Sequence, residues 1–175
     1  PRRHFSVQGG ASLFLSWLKI TGGRVVSDWE HSKGGSIIVN GLRSLLDVTS
    51  VHFSGCHPVG GIDCARSGGA VATENSAKTI VRSSVFEKFK VSADGGAMYF
   101  MYGGIGQISD TRFESNSGGG GAIFVWRGGA SVNLTGGRNT FTQSTIKKLN
   151  EHPSQISSLM FDVCPPGTYQ PADIP

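Results

Sequence analysis

The chain has 175 residues with a formal net charge of +4, and 26 of them, about 15%, are glycine, while only 16% are charged. Collagen is excluded because the glycines come in pairs rather than at every third position, and disorder because 38% apolar residues is too many for so small a net charge. The longest apolar stretch, Ala11 to Ile20, is interrupted by Ser12, Ser16 and Lys19 and falls short of a membrane span.

In chain order, the dominant signal is a repeat. A glycine pair followed by Ala or Ser and an apolar run occurs at Gly9-Gly10, Gly34-Gly35, Gly68-Gly69, Gly95-Gly96 and Gly120-Gly121, at spacings of 25, 34, 27 and 25 residues. Alignment on the pairs predicts a strand after each pair, in a repeat of two or three short strands. One column would run Ser12, Ile37, Val71, Met98 and Ile123, and a second, two residues on, Phe14, Val39, Thr73, Phe100 and Val125, the spacing of one strand face. The next positions, Leu15, Asn40, Glu74, Met101 and Trp126, read as the outside.

Each repeat carries a second apolar node. Val48 and Phe53, Val81 and Phe86, and Ile108 and Phe113 share a five-residue separation; the last repeat keeps Val132, Leu134 and Phe141 but inserts Gly136-Gly137. A unit of about 25 residues with short strands and no helical stripe cannot bury its apolar face alone, whereas stacked copies can. The expectation is therefore an all-β chain, a right-handed parallel β-helix (solenoid) of about five coils, roughly 24 Å long at about 4.8 Å per coil. A propeller blade would need four strands and about 40 residues. The β-helix is expected over residues 1–146, a linker or cap over 147–163, and a separate tail over 164–175.

The one long interval holds Cys56 and Cys64, which reads as a loop closed by a disulfide, with zinc between these cysteines, His52 and His57 as the weaker alternative. A disulfide implies an oxidising compartment, with which the sequon Asn133-Leu134-Thr135 agrees as a glycosylation site.

The stretch Phe113-Glu-Ser-Asn116-Ser-Gly-Gly-Gly-Gly-Ala122-Ile123 resembles the repeat junction of polymorphic outer membrane proteins, Phe-x-x-Asn followed by Gly-Gly-Ala-Ile, and more broadly the pectin-lyase-like β-helices of secreted and surface proteins. The Phe-x-x-Asn half is met only at Phe113 and Asn116; Cys56, Phe89 and Ser144 stand at that offset elsewhere. The tail Cys164-Pro-Pro-Gly-Thr-Tyr169-Gln-Pro resembles the start of an ephrin-receptor-like cysteine-rich repeat, which implies a partner for Cys164 further along a longer chain.

Chemistry-bearing patterns are sparse. Asp28 and Glu30, with Arg24 before and His31 after, are the nearest approach to paired carboxylates and read as a solvated polar loop. Glu87, Lys88, Asp110, Arg112 and Glu114 are expected to form an ion-pair ladder across coils. Gly103 to Asp110 approaches a calcium-binding repeat but has Ile108 at the ligand position and reads as a turn. Tyr99, Tyr102, Phe124 and Trp126 form a candidate contact patch for sugars or protein.

The expected function is a non-catalytic structural or adhesive module of a large extracellular or cell-surface protein. Its expected partners are other coils or subunits of a surface assembly, with glycans as a further candidate. The alternative is a polysaccharide lyase or glycoside hydrolase. No catalytic residue, cofactor or metal is expected. Nucleic acid is not an expected partner, since the basic residues are scattered rather than striped.

Overall fold

The computed structural model describes residues 3–25, 33–55, 64–119, 121–126, 128–142, 144, 146–148 and 160–161. Each coil contributes three short strands. The first has β1 (Phe5–Gln8), β2 (Ser12–Ser16) and β3 (Lys19–Thr21); the second β4 (Ile37–Asn40), β5 (Leu45–Thr49) and β6 (His52–Ser54); the third β7 (Val71–Glu74), β8 (Lys78–Arg82) and β9 (Val85–Glu87). The fourth has β10 (Met98–Phe100), β11 (Ile105–Ser109) and β12 (Arg112–Glu114), and the fifth β13 (Ile123–Val125), β14 (Ser131–Thr135) and β15 (Thr140–Thr142). Two further strands, β16 (Ile146–Lys148) and β17 (Met160–Phe161), lie in or beside the segment expected to be a linker or cap and begin a sixth coil.

Corresponding strands pair in parallel and build three sheets: β1-β4-β7-β10-β13-β16, β2-β5-β8-β11-β14-β17 and β3-β6-β9-β12-β15. This is a parallel β-helix of five coils. Parallel strands joined by non-pairing neighbours need faces covered on the inside, and here the three sheets cover one another.

The phase of the first repeat differs from the glycine alignment. Phe5 and Val7 of β1 pair with Ile37 and Val39, whereas Ser12 and Phe14 lie in β2 opposite Leu45 and Asp47. Leu15 is consequently an inward residue opposite Val48, and Ile20 stands opposite Phe53. The reason is that glycine pairs do two jobs. Gly9-Gly10 is the corner between the first two sheets, where successive left-handed residues recur as Asn75-Ser76, Tyr102-Gly103 and Gly128-Gly129. Gly35, Gly69 and Gly96 instead precede the strand of the first sheet, where a Cβ on Gly35 would collide with the Gly69 carbonyl and one on Gly69 with that of Gly96.

Inside, the columns anticipated in coils two to five form. Val48, Val81, Ile108 and Leu134 align in the second sheet, and Phe53, Phe86, Phe113 and Phe141 in the third. The four phenyl rings stack at centroid distances of 4.6, 5.2 and 4.9 Å with interplanar angles of 7°, 11° and 2°, each pair contributing about 0.5–1.5 kcal/mol beyond its area.

In the fourth coil a large residue meets a small one across the core, Phe100 of the first sheet against Gly106 of the second. A Cβ on Gly106 would lie 2.8 Å from two carbons of the Phe100 ring and 3.0 Å from Val132 Cγ2. The interior is close-packed, so the glycine is the space the phenyl ring needs. The buried Thr73 and Thr79 hydroxyls satisfy each other at 2.7 Å.

Asn116, the asparagine of the Phe-x-x-Asn motif, has a defined task. Its Nδ2 donates to the Phe86 carbonyl at 2.8 Å and its Oδ1 accepts from the Phe89 amide at 3.1 Å, so it closes the corner of the neighbouring coil from inside. In the next coil the Ser144 hydroxyl accepts from the Asn116 amide at 3.0 Å.

Candidate functional site

On the strands of the first sheet, alternate side chains point away from the core, and this outward face divides along the axis. Over coils three to five it is apolar: Ala72, Tyr99 and Phe124 align in register, with Met101 and Trp126 beside them. The Tyr99 and Phe124 rings stack at 5.9 Å and 8°. Their exposures are only 6% and 3%, so this pair offers no free surface. Burial, aided by the Asp94 carboxylate, pushes the Tyr99 phenol well above its ordinary pKa. Of the four aromatic residues in the candidate patch, Tyr102 is the one clearly outside, 53% exposed at a corner where its backbone is left-handed, while Trp126 is half-buried against Phe124. Glu74 and Met101, read from sequence as unconstrained outside positions, are both buried.

Over coils one to three a polar column, Gln8, Asn40 and Glu74 in register, stands beside Ser6, Ile38 and Ala72, which continue the line of Tyr99 and Phe124. Lys33 Nζ donates to Glu74 Oε2 at 3.3 Å with both side chains largely covered. Asn75 Nδ2 donates to Asn40 Oδ1 at 2.9 Å. Arg3 Nε donates to the Gly34 carbonyl at 3.0 Å and its Nη2 to the Lys33 carbonyl at 2.7 Å. Burial pulls the Arg3 guanidinium below its usual pKa, and the Glu74 carboxylate opposes this. These groups frame a groove of about 530 Å³ with Tyr102 on its rim.

The expected ion-pair ladder is arranged differently. Glu87 faces Glu114 in register, a like-charge neighbour, and each turns elsewhere: Glu87 meets His52 Nε2 at 3.1 Å and the Ser54 hydroxyl at 3.1 Å, while Glu114 meets Arg112 of its own strand at 3.5 Å. Asp110 pairs with Arg138 of the next coil at 3.5 Å, and Asp47 with Arg82 at 2.6 Å. Burial alone would raise the Glu87 carboxyl, but the hydrogen bonds from Ser54 and His52 and the charges of His52 and Lys88 outweigh it and hold the group below the ordinary carboxylate range.

Cys64 is fully buried in the core, and Cys56 and His57 lie outside the described residues, as do Asp28, Glu30, His31 and Cys164. Asn133 is half-buried in β14, between Gln107 and Met160 in register, and lines a shallow hollow of about 220 Å³ on the second sheet. Gly103-Gly104 forms the corner before β11, as the turn reading of that stretch expects. Among the described residues, no three His, Cys, Asp or Glu side chains meet in a metal-binding group, and no helix is long and apolar enough to cross a membrane.

Sequence reasoning pointed to Tyr102 but missed Arg3, Gln8, Lys33, Asn40, Glu74 and Asn75. They come from three coils, Arg3 and Gln8 from the first, Lys33 and Asn40 from the second, Glu74 and Asn75 from the third, and only the stacking of coils brings them together. Compared with protein families, curated proteins and solved structures, the chain matches no family, no curated protein and no solved structure.

Proposed function

We propose that the chain is a non-catalytic structural or adhesive module of a larger extracellular or cell-surface protein, of the kind suggested by its resemblance to polymorphic outer membrane proteins and other pectin-lyase-like β-helices. The observation that carries this reading is how the outward acidic side chains are spent. Asp47, Glu74 and Asp110 each pair with a cation of a neighbouring coil, through Arg82, Lys33 and Arg138. Carboxylates locked to cations in this way tie coils together and are poorly placed to act as acid and base across a sugar. Coils that contact only their neighbours make a stiff rod suited to presenting surface.

The first coil carries Phe14 at 68% and Trp17 at 83% exposure beside its open edge strands. That edge suits a further coil or subunit of the same assembly. In the same reading Cys56 and Cys64 form a disulfide staple, Asn133 carries a glycan, and the segment from Cys164 opens a cysteine-rich module. All three belong to a secreted chain.

The test is turnover of acidic polysaccharides by the purified chain, with and without calcium. No cleavage is expected. Cleavage that disappears in Asp28→Ala or Glu30→Ala would overturn the reading in favour of a lyase or hydrolase.

A further inference from the structure

All three sheets end at the first coil, in β1, β2 and β3, which have no further neighbour on that side among the described residues. The middle edge is the most open. Leu45 N donates to the Ala11 carbonyl at 2.9 Å and Trp17 N to the Thr49 carbonyl at 3.3 Å, so alternate residues from Ala11 to Trp17 turn their backbone groups towards β5. Those between them, Ser12, Phe14 and Ser16, present theirs at the edge. Native edge strands are usually blunted by charge or proline. β2, Ser-Leu-Phe-Leu-Ser, has neither, and its five residues offer an added strand about 17 Å of backbone.

The corner after β2 carries a second observation. Its residue is left-handed in every coil: Trp17, Ser50, Ser83, Asp110 and Gly136, with φ of 56°, 56°, 48°, 49° and 82°. Coils two to five fill it with small or polar residues, whereas the first coil places an indole there, strained for a bulky side chain and 83% exposed. Phe14, on the outward face of β2, is 68% exposed. The interior does not share this openness, since Val7, Leu15 and Ile20 of the same coil are buried. What is uncovered is an edge with its outer aromatics, not an open core.

Charge states what the partner carries. Residues 3–25 include Arg3, His4, Lys19 and Arg24 and no carboxylate. Two exposed cations bracket β2: Lys19 follows it, and Arg43 stands at its start, where a Cβ on Gly10 would lie 3.8 Å from the Arg43 Cβ. A second copy of the chain would bring more cations to the junction by either end, these same ones or Lys147 and Lys148 of β16. We propose that the β2 edge takes a strand donated by a partner protein, apolar at its centre, where it meets Phe14 and Trp17, and acidic at both ends. The proposal rests on the reading of the chain as a structural or adhesive module and names the partner chemistry of one of its ends.

Fluorescence anisotropy on the full chain tests it, with a labelled peptide whose core, Thr-Val-Phe-Val-Thr, carries two glutamates at each end. Saturable binding is expected, about tenfold tighter than for the same core flanked by lysines at low salt, with the preference shrinking as salt rises. N-methylation of alternate core amides removes the donors along one edge of the peptide. Of the two such peptides, one is expected to bind about tenfold weaker and the other within about threefold of the parent. Trp17→Gly is expected to weaken binding about threefold to tenfold, and Phe14→Ser by a similar factor. Glycine already occupies the equivalent corner at Gly136, so loss of folding does not explain a weakened Trp17→Gly.

Absence of saturable binding at about 100 μM peptide overturns the docking edge. It leaves the non-catalytic reading standing, because that reading is tested by polysaccharide turnover. Equal affinity for the two flanks overturns the acidic partner, and an equal response to the two methylated peptides overturns strand addition. Binding unchanged in both variants places the peptide elsewhere and overturns the edge. A dimer in sedimentation that Trp17→Gly dissociates would give the edge to a second copy and overturn the proposed partner.

Discussion

The two faces of the first sheet are made by the same strands yet follow different rules. Inward, Val39, Thr73, Phe100 and Val125 vary in size, and at the largest of them the facing sheet gives way, with Gly106 leaving the space the Phe100 ring fills. Outward, two columns run side by side: Ser6, Ile38, Ala72, Tyr99 and Phe124, which ends in stacked rings, and Gln8, Asn40 and Glu74, whose amides and carboxylate stand over the early coils. The inside is constrained because close packing couples each residue to the facing sheet. Outward side chains pack against no facing sheet among the described residues, so their character can change from one coil to the next.

The comparison can be broken at three points. Phe86, between two stacked rings and fully buried, should be the most sensitive: Phe86→Ala is expected to lose about 3–5 kcal/mol in denaturant unfolding. A loss under about 1 kcal/mol would mean that the inner columns do not carry the fold. Gly106→Ala comes next, because the added methyl meets the Phe100 ring. It should cost about 1–3 kcal/mol, and the cost should shrink when Phe100 is replaced by Leu, since the two positions share one space. Additive effects in that double variant would refute the compensation between sheets.

The smallest effect lies on the outer surface at Glu87. Its carboxyl is held below the ordinary range, so the stabilisation it provides is complete above the unfolded value of about 4.3 and fades as pH falls through the folded one. Acid titration of stability should therefore show a shallower decline in Glu87→Gln than in the parent chain. Identical acid limbs would mean that the contacts with Ser54 and His52 contribute nothing to folding.

Much of the interior was legible in the sequence because packing repeats: the five-residue offset from Val48 to Phe53, Val81 to Phe86 and Ile108 to Phe113 maps directly onto two adjacent sheets. The first coil was misphased because Gly9-Gly10 resembles the glycine pairs that precede the first sheet but serves as a left-handed corner. The Leu15 to Ile20 spacing, the same five residues, was the signal that would have corrected it. The groove was illegible for a different reason. Solvent-facing positions carry no periodic requirement, and Arg3, Lys33 and Glu74 become neighbours only after three coils have stacked.

The direction of the pairing also has a mechanical side. All three sheets run their hydrogen bonds from coil to coil, along the rod rather than across it. Tension applied to the two ends therefore pulls each bond along its own length, and coils detach one at a time instead of shearing together. With Asp47–Arg82 and Asp110–Arg138 bridging successive coils, each detachment also separates charged partners. A fibre built from such modules would lengthen in small steps under load, each of one coil, and could shorten again when the load is released.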